Sequence, residues 1–112
     1  MPHLSFNTTV TDRIAVVALG GELDVAGAGA LERELERIST DHDPRVVVLD
    51  LSGLDFMDST GLRLVVLADQ RAREGGRRLV LVRGNVSVQR VFAITRMEER
   101  LHFVDDATEV AA

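Results

Sequence analysis

Val46-Val47-Val48-Leu49-Asp50-Leu51, then Ser52-Gly53-Leu54-Asp55-Phe56-Met57, then Asp58-Ser59-Thr60-Gly61, is the stretch that decides the fold. Its first part is a continuous β-branched run, the pattern of a strand covered on both faces, so it reads as the central strand of a sheet. Its last part opens a helix. Acidic and hydroxyl residues stand just before the apolar run Leu62 to Ala68, and Gly75-Gly76 stops that helix at about Glu74. A buried strand leading into an apolar helix is the repeating unit of a parallel α/β sheet.

The unit recurs on the C-terminal side. Arg78 to Val82 reads as a strand, Gly84-Asn85 as a break, and residues 86 to 96 as a helix with Val88, Val91, Phe92 and Thr95 turned inward. Leu101 to Val104 predicts a short last strand, and Asp105 a cap for a terminal helical tail. On the N-terminal side, Leu4, Phe6 and Thr8 alternate with polar residues. After Thr11-Asp12 comes a second continuous run, Ile14 to Leu19, patterned for cover on both faces and joined to the first strand by a short hairpin. Gly20-Gly21-Glu22-Leu23-Asp24 breaks this run. Asp24 caps a helix over about residues 25 to 39, in which Ala28, Leu31, Leu35 and Ile38 fall at helical spacing, and Asp41 to Pro44 is a turn. The expectation is an α/β domain over residues 1–112, with a four- to five-stranded mixed sheet, about three main helices and a short C-terminal helical tail.

Composition narrows the chemistry. At 112 residues, 46% apolar and 28% charged, the chain is long enough and apolar enough to bury a core as one domain. There is no cysteine, so thiolate nucleophiles, disulfides and thiolate metal sites are absent. All thirteen basic residues are arginine, which removes the phosphate-loop lysine and any Schiff-base amine. His3, His42 and His102 are scattered, with none at the spacing of a helical metal pair. No catalytic residue, metal or cofactor is therefore assigned. A net charge of −5 argues against direct nucleic-acid binding. The apolar runs Ile14 to Leu19 and Leu64 to Ala68 fall far short of the ~20 residues that span a membrane, and the expected location is the cytoplasm.

Ligands and modifications of α/β sheets gather at the carboxyl ends of parallel strands, beside helix N-termini, and Asp50 to Gly61 occupies that place. Ser59 stands where unpaired N–H groups favour an added anion by roughly 0.3 to 1 kcal/mol, so a phosphoserine is stable there. The same four residues, Asp58 to Gly61, also read as an ordinary cap with Asp58 or Ser59 as acceptor, and spacing alone favours the cap. For Asp24 and Asp50, a helix cap and a strand-end turn are the first readings. Asp50 with Asp55 does not make a phosphoaspartate site, since the lysine that would hold the phosphoryl group is missing.

These residues, taken together, resemble a known family. Gly21-Glu22-Leu23-Asp24, Val46-Val47-Val48-Leu49-Asp50-Leu51-Ser52, Phe56-Met57-Asp58-Ser59-Thr60-Gly61-Leu62 and the late Val88-Gln89-Arg90-Val91-Phe92 helix resemble the STAS-domain anti-sigma factor antagonists of bacteria over nearly the whole chain. The resemblance implies a non-enzymatic partner switch. Such a protein, monomeric when free, binds an anti-sigma factor that is itself a serine/threonine kinase of the GHKL ATPase type. The sigma factor is thereby freed. Phosphorylation of the serine matching Ser59 ends the complex, and a PP2C-type phosphatase resets it. The partner-binding residues implied are Asp24, Asp58, Ser59, Thr60 and Gly61. The chain departs from the family at Thr60, which places a second hydroxyl beside the acceptor, and at Arg96, where a helix-ending glycine is common. Because STAS domains also serve in transporters, lipid-transport complexes and nucleotide binding, the alternative is a module that holds a nucleotide at this helix N-terminus or belongs to another regulatory or transport complex. No glycine-rich phosphate loop supports that alternative.

Overall fold

The computed structural model describes residues 3–112, so Met1 and Pro2 of the expected domain lie outside the described residues. Its elements are β1 (Ser5–Thr11), β2 (Ile14–Leu23), α1 (Val25–His42), β3 (Val46–Met57), α2 (Ser59–Glu74), β4 (Arg78–Val82), α3 (Val86–Ile94) and β5 (Phe103–Val104), with 3-10 turns at Met97–Glu99 and Ala107–Glu109. The strands form one five-stranded sheet in the order β1-β2-β3-β4-β5. The β1 and β2 strands are antiparallel, and the other pairs are parallel. Asp12 and Arg13, both at positive φ (51° and 65°), make the tight hairpin between Thr11 and Ile14, the backbone twist that two-residue hairpins require.

The main core lies between the sheet and α1, α2 and α3. Ala15, Val17 and Leu19 of β2 and Val47, Leu49 and Leu51 of β3 meet Leu31 and Ile38 of α1, Leu64 and Val65 of α2, and Val88 and Phe92 of α3. Phe92 meets Phe103 edge to face, with ring centroids 5.1 Å apart. The opposite face carries a smaller cluster of Val46, Val48, Val80 and Val82, covered by Ala107 and Val110 of the C-terminal segment.

Several boundaries differ from the sequence reading. The β2 strand does not break at Gly20-Gly21 but continues to Leu23, and β3 continues past Leu51 to Met57. The two remain paired across register shifts, with Gly20 opposite Gly53. Ile14 to Leu19 is only partly covered on its second face, where Ala18 is exposed. The α1 helix runs on through Asp41 to His42, and Asp43, in the left-handed region, ends it. Arg77 holds that end by donating to Asp43 Oδ1 (2.6 Å) and to the Pro44 carbonyl (3.0 Å). The α3 helix stops at Ile94, so Thr95 is exposed rather than inward, its hydroxyl donating to the Val91 carbonyl at 2.8 Å. Arg96 supplies the left-handed residue (φ 63°) that follows α3. The last strand is only Phe103–Val104. The cap of the C-terminal turn is Asp106, because Asp105 is paired with Arg83 at 2.6 Å.

Candidate functional site

The register of β2 on β3 builds the site. Leu23 is paired with Met57, so Asp24 and Asp58 leave two adjacent strands side by side, about 4.8 Å being the usual strand separation. The Asp58 N–H donates to the Leu23 carbonyl at 3.4 Å. Each aspartate then caps a helix. Asp24 Oδ1 accepts from the N–H groups of Ala26 (3.1 Å) and Gly27 (3.3 Å), and Asp58 Oδ1 accepts from Thr60 (2.9 Å) and Gly61 (3.2 Å). Asn85 does the same for α3, accepting from Val88 N–H at 2.9 Å while its amide donates to the Leu54 carbonyl at 3.2 Å. Three helix N-termini therefore share the rim at the carboxyl ends of β2, β3 and β4.

At the centre of this rim, Ser59 is the first residue of α2 and is exposed. The cap is Asp58, not Ser59, and the Ser59 hydroxyl makes no hydrogen bond among the described residues. Thr60 is half-buried and Gly61 is buried. A Cβ on Gly61 would lie 2.5 Å from Met57 Cγ and 2.8 Å from the Leu23 carbonyl oxygen, so glycine is what lets the first turn of α2 rest on the ends of β2 and β3. Asp50 serves the backbone: its Oδ1 accepts from Ser52 N–H (3.0 Å) and Ser52 hydroxyl (2.6 Å) within β3, near the register shift, rather than at a strand end.

Sequence reasoning missed the apolar part of the rim. Val25 (77% exposed) and Val86 (74%) are the first residues of α1 and α3, and Phe56 (43%) stands one residue before the end of β3. The signal was present in the pattern, because Val25 lies off the inward stripe of Leu31 and Ile38, and Val86 off that of Val88 and Phe92. The strongly perturbed acid is elsewhere. Glu34 on α1 is held down to about 2, first by its hydrogen bonds from Arg37 and then by the Thr8 hydroxyl, which donates at 2.6 Å.

No cluster of three metal-ligating side chains occurs among the described residues, and none of their helices is long and apolar enough to cross a membrane. A concavity of about 350 Å³ lies between α1 and α2, floored by Val47, Leu64, Leu67 and Leu79, away from Ser59. The rim itself has one of about 140 Å³ beside Asp24 and Gly27.

The geometry defines an α/β domain with an exposed serine at the start of an aspartate-capped helix, on one rim of its sheet. The STAS domain family profile matches residues 5–110, and the chain belongs to that family. A Staphylococcus aureus protein named anti-sigma-B factor antagonist is 32% identical over 108 residues, covering 96% of this chain and 98% of that protein. The crystal structure of an anti-sigma factor antagonist from Mycobacterium paratuberculosis superposes with a TM-score of 0.80 at 23% identity, covering 96% of this chain and 90% of that one. The Bacillus cell fate determinant SpoIIAA in its phosphorylated form superposes with a TM-score of 0.72 at 21% identity, covering 94% and 95%. These likenesses bear out the expected fold.

Proposed function

We propose that residues 1–112 act as one STAS domain that antagonises an anti-sigma factor in the cytoplasm, and that phosphorylation of Ser59 ends the antagonism. The observation that carries the reading is the division of labour at the rim. Asp58 caps α2 and leaves the adjacent Ser59 hydroxyl exposed and unbonded among the described residues. The names of the relatives supply the partner class. Asp24, Asp58, Ser59 and Thr60 form the contact, Gly61 holds it against the sheet, and Val25, Phe56 and Val86 add apolar area to bury.

The partner is an anti-sigma factor that is also a GHKL-type serine/threonine kinase. In the transfer, Ser59 Oγ forms a bond to the γ-phosphorus of ATP, the bond from that phosphorus to the ADP oxygen breaks, and the serine proton passes to a base of the kinase. The catalytic groups belong to the partner, and this chain is substrate and ligand. The product adds about −1.5 to −2 charges at pH 7 beside the Asp24 and Asp58 carboxylates. Pressing that group into a protein surface costs on the order of several kcal/mol unless cations meet it, and each 1.4 kcal/mol is about tenfold in affinity. Release follows, and hydrolysis by a PP2C-type phosphatase restores the serine.

The test uses the kinase retained by the immobilised chain from its source cell, then purified. Ser59→Ala should bind that kinase as wild type does and stay bound when ATP and magnesium are added. Ser59→Asp should bind at least about tenfold more weakly. Unchanged affinity of both variants, or phosphate mapped by mass spectrometry to Thr60 alone, would refute Ser59 as the switch.

A further inference from the structure

We propose that Arg63 is the internal receiver of the phosphate on Ser59, pairing with it along the face of α2 and holding it as a dianion. The inference rests on the reading of Ser59 as the phosphoacceptor and adds a residue to its regulation. Ser59 and Arg63 are one turn apart in the same helix, both exposed, and an i,i+4 pair shares one face with Cβ atoms about 5 to 6 Å apart. The inward side of α2 is fixed by Gly61, Leu64, Val65 and Ala72, which puts both residues on the opposite, solvent side.

Arg63 differs from the other arginines of its helix. Arg71 pairs with Glu32 at 3.5 Å and Arg73 with Asp69 at 3.1 Å, whereas the Arg63 guanidinium has no ion-pair partner among the described residues. Its helical neighbours at three and four residues are Ser59, Thr60, Val66 and Leu67, none of which carries a charge. The nearby Asp58 carboxylate is turned into the cap. Phosphorylation of Ser59 therefore creates the only acidic partner that the spacing of α2 offers Arg63, and guanidinium to phosphate is a geometry suited to two parallel hydrogen bonds. The pairing stabilises the phosphorylated chain and engages the Arg63 charge along the face of α2.

The test does not depend on a kinase. Phosphoserine is placed at position 59 by genetic encoding, in the wild-type chain and in Arg63→Gln, and the phosphate is titrated by phosphorus NMR. Its second pKa should lie about 0.3 pH units lower with Arg63 present, as an exposed i,i+4 ion pair predicts, and Arg63→Lys should restore part of the shift. Identical titrations in the wild-type chain and Arg63→Gln would overturn the pairing, and circular dichroism shows whether both variants are equally folded. A kinase that leaves Ser59 unmodified would sink the switch while leaving this titration as it stands. A normal switch with identical titrations would sink the pairing alone.

Discussion

Replacing glycine by alanine at two positions, Gly61 and Gly29, should move stability in opposite directions, and the packing under Ser59 sets the difference. Both glycines lie within helices, where alanine is favoured by about 0.8 to 1 kcal/mol. At Gly29 the added methyl meets only the far end of the Arg33 side chain, 3.3 Å away, which can swing aside. Gly29→Ala should therefore keep most of the gain, about 0.5 to 1 kcal/mol. At Gly61 the methyl would sit 2.5 Å from Met57 Cγ, 2.8 Å from the Leu23 carbonyl oxygen and 2.9 Å from Leu23 Cγ. One of these is backbone in a paired strand and cannot move without shifting β2, so the overpacking cost belongs near the top of the usual range, about 3 kcal/mol.

The net loss for Gly61→Ala is then about 2 kcal/mol, or roughly 8 °C in melting temperature for a chain of this size, against a rise of about 2 to 4 °C for Gly29→Ala. Thermal unfolding followed by circular dichroism measures both. Because the clash lies two residues from Ser59, Gly61→Ala should also lower the rate of Ser59 phosphorylation, while Gly29→Ala should leave it unchanged. A Gly61→Ala chain that melts at or above the wild-type temperature would refute the close seating of α2 on Leu23 and Met57.

Asp24→Asn should melt close to wild type, since asparagine caps as well as aspartate, yet be bound or phosphorylated less well by the kinase because the rim loses a charge; a wild-type rate would leave Asp24 as a cap only. Asp24→Ala should cost about 0.5 to 2 kcal/mol in chemical denaturation. Glu34 has a folded pKa depressed to about 2 from 4.5, so its stabilising contribution is present above the unfolded value and is lost as pH falls through the folded one. Denaturant midpoints of wild type and Glu34→Gln should thus differ at pH 6 and converge toward pH 2, and a gap that stays constant with pH would remove that role. Purified chain incubated with labelled ATP and magnesium should stay unlabelled, and label incorporated without a kinase would revive an enzymatic reading.

How much of this was legible in the sequence depended on whether the deciding contact was local. The α2 and β4 boundaries, Ser59–Glu74 and Arg78–Val82, fall where the sequence puts them, because Asp58 and Gly75-Gly76 act on their own neighbours. Gly20-Gly21 reads as a chain break for the opposite reason. In the fold Gly20 faces Gly53 across two strands, and a Cβ on Gly53 would lie 2.5 Å from the Leu19 carbonyl oxygen. These glycines permit a close approach between segments far apart in the chain, and a local pattern cannot see that. The C-terminal cap moved from Asp105 to Asp106 in the same way, since Arg83, the residue after β4, claims Asp105 from 22 positions away. At the rim, the capping role of an acidic residue before α2 was readable. Whether Asp58 or Ser59 filled it was not, because both are good caps and the parallel register of Leu23 with Met57 fixes where the helix begins.

That last distinction bears on how a phosphate can act as a signal here. Had Ser59 been the cap, its hydroxyl would be committed to first-turn N–H groups, and modification would cost part of the roughly 0.5 to 2 kcal/mol that a cap contributes. The signal would then be read partly as loosening of α2. With Asp58 as the cap, the helix keeps its start, and a phosphate one residue later meets the favourable end of the helix dipole. The modified chain can remain folded while its surface gains negative charge and hydration on the rim that carries Asp24 and the exposed Val25, Phe56 and Val86. The cost of the phosphate then falls on the complex rather than on the fold, which is the condition for a reversible switch whose substrate survives each cycle.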